Sequence, residues 1–254
     1  MANDVTKGGN TAVMDLAMFE EDAGFGMENM GQEDLALPFL KILSGLDPIL
    51  ETHETARRGD IYNTVSGKVY KGKDGIRVVP CAYQRRFIQW HPRGQGSGAP
   101  INIFTPNDTL PKTKRDADNR DVVVGGDGDY IEETHQHFVV LINKDGSAET
   151  ALIAMKSTQL KKSRKWNSMV SSTMIKGKNG PFQAPRCSHV YSLKTTPEDN
   201  SKGSWHGWEM SREGPIQDAN LYKQCKTFAK SVTEGDVVVK HLDETEEDKG
   251  SSPF

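Results

Sequence analysis

Residues 76–90 read IRVVPCAYQRRFIQW, and the fold turns on this run. Apolar, β-branched and aromatic side chains without a helical period predict extended backbone. The run is too long for one flat strand, and Pro80 removes a ladder donor, so an edge position or a bulge is expected there. Successive side chains of a strand point to opposite faces. Tyr83, Arg85 and Phe87 therefore share one face, and Arg86, Ile88 and Trp90 share the other.

Outward from this run the texture stays β. Upstream, Ile61 to Val65 and Lys68 to Tyr70 flank a Ser66-Gly67 turn, and Lys73-Asp74-Gly75 leads into the long strand. Order is expected to begin at the apolar segment Leu37 to Leu43, which ends in the turn signal Leu46-Asp47-Pro48. Downstream, residues 91–130 open with Gly94, Gly96, Gly98 and Pro100 and close with Gly125-Gly126-Asp127-Gly128; they are predicted as a long loop, centred on 94–130. His135 to Asn143 and Ala148 to Met155 flank Lys144-Asp145-Gly146 as a second hairpin, and Cys187 to Lys194 and Trp205 to Met210 are further strands.

Helical signals are fewer. Ser157-Thr158 are read as the cap of a helix over Ser157 to Lys176, with Trp166, Met169, Val170, Thr173 and Met174 as its docking stripe. A loop over Gly177 to Pro185 follows. Ala219 to Thr233 places Leu221, Tyr222, Cys225, Phe228, Ala229 and Val232 on one face and ends near Gly235. A short helix is expected at Val13 to Glu20. No internal repeat is present. The composite is α+β, with a hairpin-built antiparallel sheet and a few helices.

Charge is segregated. The chain of 254 residues carries −3 overall, yet residues 1–36 hold −7 and residues 243–254 hold −4, which leaves +8 for 37–242. From Thr150 to Pro197 there are nine Lys or Arg and no Asp or Glu. A basic body between acidic ends points to a polyanion as partner. Hydrophobic content of 35% and a mean hydropathy of −0.63 predict disordered parts, assigned to the acidic ends 1–36 and 243–254. No apolar run reaches the ~20 residues of a membrane span and no signal peptide is evident, so the expected location is the cytoplasm. Three widely spaced cysteines, Cys81, Cys187 and Cys225, speak against a disulfide framework.

Several clusters could carry chemistry. In Tyr83 to Arg93, cations alternate with aromatics, as single strands require: phosphates meet Lys or Arg, and bare base faces meet rings. His135 and His137 share a strand face, as would Cys187 and His189; four such ligands could hold Zn²⁺, but the spacing lacks a zinc signature, and no metal is expected. Asp127, Asp129, Glu132 and Glu133 could ligate Mg²⁺ in a nuclease-like site, without a lysine or general base beside them. GxxxxGK[ST], GxGxxG and GxSxG are all absent, which removes support for nucleotide hydrolysis and α/β-hydrolase chemistry.

The acidic terminal residues, closed by Pro253-Phe254, are similar to the tails of bacterial and phage single-stranded DNA-binding proteins. The blocks LPFLKIL (37–43), GDIYNTVSGKVY (59–70), VVPCAYQRRFIQWHPR (78–93), ETHQHFVVLI (133–142), STQLKKSRKWNSM (157–169) and GSWHGWE (203–209) resemble those of a group of tailed-phage proteins associated with single-stranded DNA in replication and recombination. The resemblance spans about 37–242. It implies an OB-like antiparallel barrel with added helices. It also implies a DNA-binding set of Tyr83, Arg85, Arg86, Phe87, Trp90 and Arg93 with Lys161, Lys162, Arg164, Lys165 and Trp166, and partner docking through Asp248, Pro253 and Phe254. This chain departs from a minimal OB domain in its length, its long loop and its basic helix. The expectation is a non-enzymatic single-strand binder without cofactor, whose acidic tail recruits replication or recombination proteins. The alternatives are a metal-dependent nuclease using 127–133 and a scaffold that binds an acidic protein.

Overall fold

The run 76–90 forms one strand, and its ladder with a second long strand organises the sheet. The protein is described by a computed structural model over residues 16–31, 34–92, 94–201 and 203–241. Contacts divide the chain into an N-terminal unit, residues 1–35, and a main unit, residues 36–254. The N-terminal unit contains helix α1 (Leu16–Glu21), which overlaps the region Val13 to Glu20 where a short helix is expected.

The main unit begins with β1 (Leu40–Ile42), α2 (Ile49–Thr52), β2 (Ile61–Asn63) and β3 (Val69–Tyr70). Then come β4 (Ile76–Trp90), β5 (Asn102–Phe104), β6 (Thr113–Arg115), β7 (Asp121–Val123), β8 (Tyr130–Ile142) and β9 (Ala148–Lys156). A 3-10 turn at Ser157–Gln159 leads into α3 (Leu160–Ser171), followed by β10 (Met174–Gly177), β11 (Gly180–Gln183), β12 (His189–Asn200), β13 (Gly203–Pro215) and α4 (Ala219–Glu234).

β4 and β8 pair antiparallel along their whole length, from Arg77 opposite Ile142 to Trp90 opposite Tyr130. Each uses its outer edge twice. β4 meets β12 at Ile76 to Val78 and β5 at Phe87 to Gln89; β8 meets β9 over Thr134 to Ile142 and β7 at Tyr130 and Ile131. One end of the sheet thus runs β13-β12-β4-β8-β9 and the other β5-β4-β8-β7-β6. The strands are antiparallel, and the sheet curls as a half-barrel.

A bulge sits where Pro80 predicts one: Pro80 faces Val139, Ala82 faces Phe138, and Cys81 is the extra residue. Pro80 lies at this bulge, in the stretch of β4 between its pairings with β12 and β5. The extra residue inverts the alternation. Ile76 and Val78, before it, share a face with Tyr83, Arg85 and Phe87, after it.

Both faces of the β13-β12-β4-β8-β9 end are covered, which requires apolar residues at successive positions. On one face Ile76, Val78, Val139, Leu141, Ile153, Tyr191 and Leu193 pack under Trp166 and Val170 of α3 and Leu40 and Ile61 of the β1-β2-β3 sheet. On the other, Val79, Cys81, Phe138, Val140 and Leu152 pack under Cys225, Phe228 and Val232 of α4. The Asp218 carboxylate accepts from the Asn220 N–H at the start of α4, and Gly235 ends it in the left-handed region at φ 88°.

Three expectations are corrected. The stretch 94–130 carries three short strands, β5 to β7, added to the sheet's second end; each is three residues long with no buried residue, too little to show as alternation. The basic helix ends at Ser171, so Thr173 is buried beneath it but Met174 opens an exposed hairpin, β10-β11, where a loop was expected from Gly177. No side-chain cap holds the start of α3; the 3-10 turn with Ser157 at φ 49° replaces it. Among the described residues, no helix is long and apolar enough to cross a membrane.

Candidate nucleic-acid interface

Beyond the bulge, the α3-side face of β4 and β8 changes from apolar to polar. Tyr83 stands opposite His137, Arg85 opposite His135 and Phe87 opposite Glu133. Phe87 is also opposite Phe104 of β5, so two half-buried rings sit side by side in adjacent strands. The Arg85 guanidinium lies 4.8 Å from the centre of the Phe87 ring. On α3, Lys161, Arg164 and Lys165 are exposed.

Arg85 is held by a chain of hydrogen bonds. Arg186 can only donate, and its Nη2 lies 3.1 Å from His137 Nδ1, so that nitrogen accepts and Nε2 carries the proton. His137 Nε2 then donates to Ser163 Oγ at 2.7 Å, Ser163 donates to His135 Nδ1 at 2.7 Å, and His135 Nε2 donates to Glu133 Oε1 at 2.9 Å. Glu133 Oε1 also accepts from Arg85 Nε at 2.8 Å, and Arg164 Nη2 approaches to 3.8 Å. His137 is buried, stacked on Trp166 at 4.6 Å, and burial, followed by the charge of Arg186, holds its pKa well below the ordinary value. Burial lowers His135 as well, partly offset by Glu133. Burial raises Glu133, but the hydrogen bonds from His135 and Arg85 and the Arg85 charge outweigh it, and the carboxyl stays below its usual range. Both histidines are thus neutral in neutral solution, and Glu133 is a fixed anion between Arg85 and Arg164.

Glu133, His135 and Ser163 are spaced as an acid–histidine–hydroxyl triad. Ser163, however, is fully buried and its oxygen is shared between two imidazoles, so no substrate can reach it. This series of hydrogen bonds positions the face, and Ser163 within it is not an accessible nucleophile.

The sequence-derived set divides. Tyr83, Arg85, Phe87, Arg164, Lys161 and Lys165 belong to this side of the sheet. Tyr83 is pinned between Arg186, 5.5 Å from its ring centre, and the two histidines, so it serves as framework more than as an open platform. Lys162 is paired with Glu198, which also accepts from Trp205 Nε1. Trp166 is fully buried and Trp90 is 5% exposed: both are core residues, and neither ring can stack as an open platform on this face. Arg86 points to the opposite face, donating to Gln84 Oε1 at 2.7 Å. Arg93, Asp248, Pro253 and Phe254 lie outside the described residues.

Among the described residues, the two candidate metal-ligand sets are not brought together. Cys187 is buried in the core beneath α4, on the far side of the sheet from His135 and His137. Glu132 and Glu133 project to opposite faces, Asp129 is buried against Gln89, and Glu132 is paired with Lys156 at 3.3 Å. Among the described residues, no group of His, Cys, Asp and Glu is arranged to hold a metal ion.

Sequence reasoning missed Phe104, Ser163, Arg186 and Glu133 as parts of this face. Phe104 lies in the stretch read as a loop, where the three-residue β5 left no alternation to find. Nothing local marked Ser163 or Arg186, which meet the histidines only through the fold.

Comparison with known proteins gives one result. Neither curated proteins nor solved structures provide a match. The sequence profile of the family described as Pam3 phage gp34-like protein matches residues 6–238, nearly the whole chain. The chain belongs to this family of bacteriophage proteins.

Proposed function

We propose that the protein binds single-stranded DNA with little sequence preference during phage replication or recombination. In this reading the half-barrel is an OB-like sheet. Arg85, Arg164, Lys161 and Lys165 meet the phosphates, and the Phe87–Phe104 pair offers ring faces to the bases.

One observation carries the reading. The first two turns of α3 hold Lys161, Lys162, Arg164 and Lys165 and no acidic residue in the first turn. Cations at a helix N-terminus oppose the macrodipole, so this charge does not serve helix stability. Glu198 meets Lys162 and Glu133 lies near Arg164 within the chain; the exposed Lys161 and Lys165 are explained by an anionic partner outside it. The acidic residues 243–254 would recruit proteins of replication or recombination, and no catalytic step is assigned.

The test is a titration of the full chain with single- and double-stranded oligonucleotides at two salt concentrations. Preference for single strands, with affinity falling steeply in salt, is expected; a slope near −0.7 per neutralised phosphate is characteristic of a single strand. Affinity that ignores salt would sink the reading, and cleavage of the strand with Mg²⁺ would replace it with a nuclease.

A further inference from the structure

No residue of the exposed hairpin β10-β11 belongs to either large core, and its composition is not that of an ordinary surface turn. It lies inside the stretch 150–197 that holds no Asp or Glu. Phe182 is 47% exposed and Met174 57%. Lys176 and Lys178 are also exposed, and among the described residues neither has a carboxylate partner.

The hairpin is anchored at its base. The Ala184 N–H donates to Thr173 O at 2.8 Å, Gln183 Nε2 to Ser171 O at 3.0 Å, and Arg212 Nη1 to Thr173 Oγ1 at 2.8 Å. It therefore continues the exposed side of α3, where Lys161, Arg164, Lys165, Ser168, Ser171 and Ser172 follow one another with no acidic residue between them. Towards the other end of that side, Arg164 approaches Glu133 beside Arg85.

The setting of Phe182 is specific. In the ladder it stands opposite Ile175, which puts Gly177 diagonally across from it on the same face. A Cβ at Gly177 would lie 3.1 Å from both Cδ1 and Cε1 of the Phe182 ring, inside the about 3.5–4.0 Å of an optimal carbon contact. The φ of Gly177 is not positive, so the backbone does not call for glycine there; the ring does. Phe182 is thus laid against the backbone of the ribbon, with its other side open to solvent. A ring held in this way beside unpaired ammonium groups has the chemistry of a single-strand contact: a base face meets the ring and a phosphate meets the cation.

We propose that Phe182 and Lys178 form a second contact for single-stranded DNA, beyond the end of α3 that is remote from Arg85 and Phe87. One base stacks on the open side of Phe182, and a neighbouring phosphate meets Lys178 in the two-residue turn Lys178-Asn179. Lys176 stands opposite Pro181 in the ladder, on the other face of the ribbon, and takes no part. The inference rests on the strand-binding reading and lengthens the path of the strand along α3.

The experiment measures the affinity of the full chain and its variants for a labelled thymidine oligomer at two salt concentrations, with thermal melting of each. Phe182→Ala should bind at least about fivefold more weakly, the low end of the worth of one stacked base, and Phe182→Tyr should restore native affinity. Both should melt with the native chain, because the ring lies outside the cores. Phe182→Leu keeps an apolar cover on Gly177 without a flat ring; it should bind as weakly as Phe182→Ala, and it decides the matter if alanine loosens the hairpin. Lys178→Ala should lower the log–log salt slope by about 0.7, one phosphate, and Lys176→Ala should leave it unchanged. Native affinity in Phe182→Leu, no rescue by Phe182→Tyr, or equal slope changes from the two lysines would each overturn the proposal. Loss of self-association in Phe182→Leu at native strand affinity would assign the ring to a second copy of the chain instead. A native chain that does not bind the oligomer defeats the strand reading itself. Binding that Phe87→Ala weakens and the Phe182 variants do not defeats the hairpin contact alone.

Discussion

The two halves of β4 are made of the same strand paired to the same partner, yet they do different work. Before Cys81, Ile76, Val78 and Val79 feed two cores, because α3 and the β1-β2-β3 sheet cover one face and α4 the other. After it, Tyr83, Arg85 and Phe87 meet histidines, a carboxylate and a neighbouring phenylalanine, and Ile88 and Trp90 line a pocket on the reverse side. A strand covered on both sides must be apolar at consecutive positions, whereas one covered in part can keep charge at alternate positions. The bulge is the joint between the two regimes. It adds one residue and so decides which side chains of the second half look toward α3.

The largest expected effect comes from removing that joint. Deleting Cys81 returns the ladder to simple alternation and sets one half of β4 facing the wrong way. The expected result is loss of cooperative unfolding, followed by circular dichroism in denaturant; a variant that still unfolds in one sharp transition would show the bulge to be dispensable.

Next comes the contrast between a buried ring and a half-buried one. Trp166→Ala should cost about 3–5 kcal/mol in chemical denaturation, as expected for a fully buried tryptophan. Phe87→Ala should leave stability much closer to native and instead weaken single-strand affinity by about 1–3 kcal/mol, the worth of one stacked base. The opposite ranking would move the binding surface off β4.

The smallest effect isolates the helix. Replacing Lys161 and Lys165 together with alanine should reduce the log–log salt slope of single-strand binding by about 1.4, two contacts at ~0.7 each. Thermal stability should hold or rise, since the substitution removes cations from the positive end of α3. An unchanged slope would leave α3 as the cover of the first core only.

Much of the architecture was legible. The Asp218-to-Gly235 helix announced itself through its apolar face and its terminal glycine, and Pro80 marked the bulge. The short strands at 102–123 were not legible. Three-residue strands hold their pairing through neighbours, not through an alternating pattern of their own. On the candidate face, the shared side of Tyr83, Arg85 and Phe87 was legible because cation and aromatic alternate within one strand. The burial of Trp166 and Trp90 was not legible, because a large ring reads alike in a core and on a platform. Lys162 counted toward the basic run, but Glu198, thirty-six positions on, lies beside it in space.

Local physics therefore reaches as far as periodicity, turn chemistry and charge segregation: antiparallel strands, two amphipathic helices, and a basic body between acidic ends. Which rings are buried, which cations are already paired, and how Arg186, His137, Ser163, His135 and Glu133 join into one chain were decided by the tertiary structure. Burial and hydrogen bonding depend on partners distant in sequence, and those partners meet only once β4 has bent at Cys81 and α3 has closed over it.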